Sequence, residues 1–129
     1  MKQVALEVAN HIEDEGHATL GTDLFVDSLP DVRTDVIAVF TTGGQSPDID
    51  LPIPYPSFEI LIRGESASTV FAKIESIVSG LHQTFNENLV VGGNYYYSIL
   101  LNGEISNLGR DDKNRIEYSA NFRCKVRGR

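Results

Sequence analysis

The sequence predicts an α+β fold, a mainly antiparallel sheet with two packed helices in the order α-β-β-β-α-β-β, and three stretches carry that prediction. Between Ile116 and Val126, apolar Ile116, Tyr118, Ala120, Phe122, Cys124 and Val126 alternate with polar Glu117, Ser119, Asn121, Arg123 and Lys125. Side chains on a strand point to opposite faces in turn, so this is a long half-buried strand that needs an apolar cover. Ala67, Val70, Phe71, Ile74, Ile77, Val78, Leu81 and Phe85 recur at three- and four-residue steps and form the strongest helical stripe in the chain, the natural cover for a sheet. Val4, Ala5, Val8, Ala9 and Ile12 repeat that spacing between Lys2 and Glu15. Sealing a large apolar side chain stabilises a fold by about 1.5–3 kcal/mol before entropy is subtracted.

The elements follow in order. Gly16 is placed to end the first helix. Leu20 to Val26 reads as a short strand, interrupted by Gly21 and Asp23 and closed by the turn Asp27-Ser28-Leu29-Pro30-Asp31. Asp35 to Thr41 is a second strand, β-branched and apolar enough for a central position. Thr42 to Pro56 holds Gly43, Gly44, Pro47, Pro52, Pro54 and Pro56, and such a segment is expected to be a long arm, at about 42–56, without helix or central strand. Ser57 to Gly64 is a third strand, and Ser66 or Ser68 can cap the second helix. Gly92-Gly93 is a turn, Asn94 to Leu101 a fourth strand, and Asn102-Gly103 begins the connection onward. Gly109 to Arg115 contains no apolar residue and reads as a charged turn that delivers the last strand from solvent.

Composition narrows the possibilities. The 129 residues are 41% hydrophobic and 22% charged, which suits a single domain, 1–129, able to bury a core without staples. No apolar run approaches bilayer length, and the N-terminus has no apolar signal core, so neither membrane nor export is expected. Cys124 is the lone cysteine, on the apolar face of the last strand, and a buried free thiol is the expectation. The net charge of −7 argues against specific nucleic-acid binding, which depends on neutralising phosphates. Its distribution is uneven. Residues 1–59 set eleven acids against Lys2 and Arg33, whereas residues 60–129 set nine bases against seven acids. Arg123, Lys125, Arg127 and Arg129 share one face of the last strand if it runs that far, a pattern that also suits a solvated strand face.

Catalysis needs converging groups, and the chain offers few. His11, His17 and His82 have no His or Cys at metal-ligand spacing, and Asp111-Asp112-Lys113-Asn114 lacks the glycine and distal glutamate of a calcium loop, leaving its acids as turn formers. Gly43-Gly44 and Gly92-Gly93 lack the residues that would cradle phosphates. Tyr95, Tyr96 and Tyr97 are split between two strand faces, which favours core and interface roles over base stacking. No catalytic residue, cofactor or metal is expected.

Several local patterns resemble the minor capsid or tail terminator (tail completion, head-tail joining) proteins of long-tailed bacteriophages. They are His11-Ile12; Gly21-Thr22-Asp23-Leu24-Phe25 with Ser28-Leu29-Pro30; Pro56-Ser57-Phe58-Glu59-Ile60-Leu61-Ile62-Arg63-Gly64; and Leu108-Gly109-Arg110-Asp111 with Arg115, Tyr118 and Asn121-Phe122-Arg123. The resemblance implies two helices on a mainly antiparallel sheet, and a virion protein with no cofactor. It implies a homo-oligomer, commonly a hexameric ring, that caps the tail tube, stops its elongation and docks on the head connector. Its partners would be the tail tube protein and the head connector or stopper protein, met in the bacterial cytoplasm during assembly. A head-side connector or adaptor is the alternative within the same virion, and a small-ligand or enzymatic domain the alternative outside it.

A ring needs two different complementary surfaces, since each subunit's front must match its neighbour's back. The charge asymmetry suggests Arg63, Arg110, Arg115 and Arg123, with Asp111 and Asp112 beside them, against Asp23, Asp27, Asp31 and Asp35 on the next subunit. Arg110, Arg115 and Arg123 are expected to face solvent in a lone subunit. The competing expectation is local pairing of Arg110 with Asp111 or Asp112 within the turn.

Overall fold

The computed structural model describes residues 3–31, 35–45, 55–81, 90–91 and 94–128. Nine elements follow one another: α1 (Val4–Asp14), β1 (Leu24–Val26), β2 (Val36–Gln45), β3 (Tyr55–Gly64), α2 (Ala67–Leu81), β4 (Val90–Val91), β5 (Asn94–Leu101), β6 (Ser106–Arg110) and β7 (Ile116–Gly128). The fold is α+β as expected, and β4 and β6 add two short strands to its second half.

All seven strands lie in one sheet, in the order β1-β2-β3-β7-β5-β4, with β6 also paired to β7. Only β1 and β2 run parallel; the other pairings are antiparallel. The long strand β7 joins the halves. Along one side Ile116 to Arg123 pairs with β3. Along the other, β6 pairs with Ile116 to Ser119 and β5 with Phe122 to Gly128. Both helices cover one sheet face, α1 against β1, β2, β3 and β4, and α2 against β3, β5 and β7.

The alternation read from the sequence explains the core. Ala120, Phe122, Cys124 and Val126 of β7 are buried with Phe58, Ile60 and Ile62 of β3 and with the stripes of both helices. Phe58 and Phe122, paired in register, stack with ring centroids 5.0 Å apart. Phe71 departs from its expected place. It is 39% exposed and meets Tyr118 edge-on at 5.6 Å. Phe85 and His82 lie outside the described residues. Gly64 lets α2 approach β3 closely, since a Cβ there would sit 2.6 Å from both Val70 Cγ2 and Asp35 Oδ1.

Strand bounds shift from the expectations for local reasons. Leu20 makes only an isolated bridge to Leu24, because Gly21 (φ 86°) turns the chain between them. Thr42–Gln45 and Tyr55–Pro56 belong to β2 and β3, so both ends of the expected arm are strand; residues 46–54 lie outside the described residues. A bulge resolves the conflict with Pro56, which cannot donate to a ladder: Gly43 and Gly44 on β2 oppose that single residue.

One buried polar pair ties distant parts together. Glu7 of α1 is 2% exposed, and the hydroxyl of fully buried Tyr96 on β5 donates to its Oε1 at 2.9 Å.

Candidate functional site

The charged residues singled out by the sequence fall into three places. The first is a clamp within one subunit. Asp111 shapes its turn by accepting hydrogen bonds at Oδ1 from the backbone N–H groups of Lys113 and Arg115, at 3.0 and 2.9 Å. Its Oδ2 accepts from Arg115 Nε at 2.8 Å. The same guanidinium reaches Asp31 Oδ1 at 2.5 Å, and Lys113 Nζ lies 2.5 Å from Asp31 Oδ2. The β6–β7 turn is thereby locked to the chain between β1 and β2. Lys113, hydrogen-bonded first and Arg115 after it, holds the Asp31 carboxyl down to about 2, and the Arg115 hydrogen bonds lower Asp111. Both carboxylates raise Arg115 in turn, Asp111 the more.

The expectation that Arg115 faces solvent is therefore corrected: the residue is only 7% exposed. Its guanidinium has two carboxylates within its own subunit, and this fork geometry needs no neighbour. The local pairing foreseen for this turn is made by Arg115 with Asp111. Arg110 instead donates to the carbonyls of Asn114, at 2.8 Å, and Glu65, at 3.3 Å, and stays exposed with Asp112. Arg63 is likewise buried, donating to the Pro30 carbonyl at 2.5 Å.

The second place is the start of the chain. Asp27 occupies the left-handed region (φ 55°), where it accepts from the Thr41 N–H at 2.6 Å and from Gln3 Nε2 at 2.9 Å. Asp23 accepts from the Thr19 N–H at 2.7 Å, and exposed Asp35 packs beside Gly64. These carboxylates hold the β1 to β2 passage. Further exposed acid sits at the end of α1, where Asp14 and Glu15 close the helix and His11 pairs with Glu15. Residues 3–31 carry seven carboxylates and no Lys or Arg.

The third place is a groove on the sheet face away from the helices. Registers align Ser57 with Arg123, Leu100 with Arg123, and Ser98 with Lys125, so β3, β7 and β5 present these side chains together. The opening holds about 460 Å³, and Tyr55 and Asn102 also line it. Arg123 is exposed and Lys125 half-buried, and neither has an ion-pair or hydrogen-bond partner among the described residues. The sequence placed Arg123 and Lys125 on one face. It held no signal for Ser57, Ser98 or Asn102, which strand register brings to them. Cys124 borders the groove but is 3% exposed, and burial pushes its thiol up to about 12, as fits a buried free cysteine.

Among the described residues no group of three or more His, Cys, Asp or Glu could hold a metal ion. No described helix is long and apolar enough to cross a membrane.

The family described as bacteriophage tail terminator protein matches residues 11–127. The chain is similar to a chain of a solved structure described as the virion of a native gene transfer agent particle. The TM-score is 0.69, with 16% identity over 96% of each chain, a likeness of fold. No curated protein matches.

Proposed function

The chain belongs to the bacteriophage tail terminator protein family, and from that premise we propose that copies of it form a ring on the end of the tail tube. The ring stops tube elongation and offers its outer surface to the head connector. Its partners are further copies of the chain, commonly six in all, the tail tube protein and the head connector or stopper protein. The observation that carries this reading is the family match across 11–127, on a chain whose residues 1–59 are strongly acidic and whose residues 60–129 are slightly basic. Head-to-tail contacts close into a ring only when the two faces of a subunit differ and complement each other.

The interface set read from the sequence is redistributed on this basis. Arg123, Arg110 and Asp112 remain available to neighbours, as does Asp35. Arg63, Arg115, Asp111, Asp23, Asp27 and Asp31 serve first to hold their own subunit, and Asp31 retains an exposed edge. Electron microscopy of particles made without this protein tests the role. Unjoined heads and tails of abnormal length are expected, and intact, infectious particles from the null mutant would remove the assignment.

A further inference from the structure

We infer that the groove formed by β3, β5 and β7 receives the acidic end of α1, Asp14 and Glu15, from a second copy of this chain. The inference rests on the ring reading and names its contact. Three observations carry it.

The groove first has charge without a partner. Arg123 and Lys125 stand side by side on β7 among the hydroxyls of Ser57, Ser98 and Tyr55 and the amide of Asn102. Two cations flanked by neutral hydrogen-bonding groups, with no carboxylate in the lining, form a receptor for a carboxylate-bearing surface.

The end of α1 breaks a local rule. Asp14 is the last helical residue and Glu15 the C-cap, so both acids sit at the C-terminus of the helix, where the macrodipole disfavours negative charge. His11 addresses Glu15, whereas exposed Asp14 has no partner among the described residues. Asp14 thus departs from the local preference with no compensating partner inside the subunit, which points to compensation outside it.

The two surfaces also lie on opposite sides of the sheet. α1 packs on the face bearing Ile37, Val39 and Phe58, and the groove opens on the other. One subunit cannot bring them together. Neighbours can, and the contact is heterologous, front to back, as a closed ring demands. Duplex DNA is the competing occupant of a basic groove, but residues 8–31, with six carboxylates and no Lys or Arg, would repel its phosphates elsewhere on the subunit.

A charge exchange tests the contact. Four full-length chains complement a strain lacking this protein: wild type, R123E/K125E, D14K/E15K and the combination of all four changes. Each paired reversal is expected to lower the yield of joined particles roughly tenfold or more, as two exposed ion pairs turned into repulsions allow. The four-fold combination should recover most of it. Melting temperatures of the purified chains check folding, and R123Q/K125Q with D14N/E15Q replace any reversal that unfolds. Normal joining by either paired variant overturns the contact, and so does no recovery in the combination. Loss of binding to a labelled duplex by R123E/K125E, with joining unchanged, overturns it in favour of phosphate. Failure of the contact is separable from failure of the role: normal particles with R123E/K125E overturn the first alone, whereas normal particles without any of this protein overturn the second.

Discussion

Tyr96→Phe removes one oxygen from the core and nothing else. The ring remains, so no cavity opens, and the donor 2.9 Å from Glu7 Oε1 is lost. Both residues are almost fully buried, so water cannot replace the hydroxyl without entering a packed interior. A buried carboxylate oxygen with one donor fewer costs about 1–3 kcal/mol, and about 2 kcal/mol is expected here. For a chain of this length, roughly 3–5 °C of melting temperature per kcal/mol gives a fall of about 6–10 °C. Glu7→Gln and the double variant complete a thermodynamic cycle by denaturant unfolding, in which a coupling of about 1–2 kcal/mol is expected. Tyr96→Phe within about 0.5 kcal/mol of wild type, with additive single changes, would refute the reasoning, since the hydroxyl would then be idle. The pair matters beyond stability because it fastens the first turn of α1 to β5 across the core.

Other outcomes follow from the same structure. Arg115→Glu should lower the melting temperature of the monomer, whereas Arg110→Glu should leave it within a few degrees; equal effects would mean that the clamp around Arg115 does not hold the turn. Asp31 and Asp111 have folded-state values below the usual 3.8, so their contribution is complete above about pH 4 and is lost as pH falls toward about 2; Asp31→Asn with Asp111→Asn should flatten acid unfolding in that window. Cys124 should resist a thiol reagent at pH 8 in the native protein and react once unfolded, and fast native labelling would contradict its burial. Melts with and without chelator should coincide, and a fall of several degrees with chelator would reveal a structural metal.

Much of this architecture is legible in the sequence because periodicity is local. The stripes of α1 and α2 and the alternation along β7 each follow from residues a few positions apart. What escaped depends on partners far along the chain. Glu7 looks like any helix acid until Tyr96, 89 residues later, is placed beneath it. Arg115 looks solvated in a turn without apolar residues, and its burial rests on Asp31, 84 residues earlier. β6 shows no alternation at all, since every residue is exposed. Backbone pairing to β7 makes it a strand, helped by Gly109 (φ 88°) and by the Asn107 side chain, whose Oδ1 accepts from the Gly109 N–H at 2.8 Å. The groove was half legible: one strand announced its two cations, and two other strands supplied the polar lining.

The position of β7 has a consequence for the timing of synthesis. β3, β5 and β6 all pair with this strand, yet it leaves the ribosome after every one of them. A nascent chain can form α1, α2 and the β2–β3 hairpin, but it cannot close its sheet until Ile116–Gly128 emerges. Arg123 and Lys125 lie on that strand, so the basic surface comes into being with the act of closure. A chain cut short before β7 would therefore lack both the strand that closes the sheet and the basic surface that it carries.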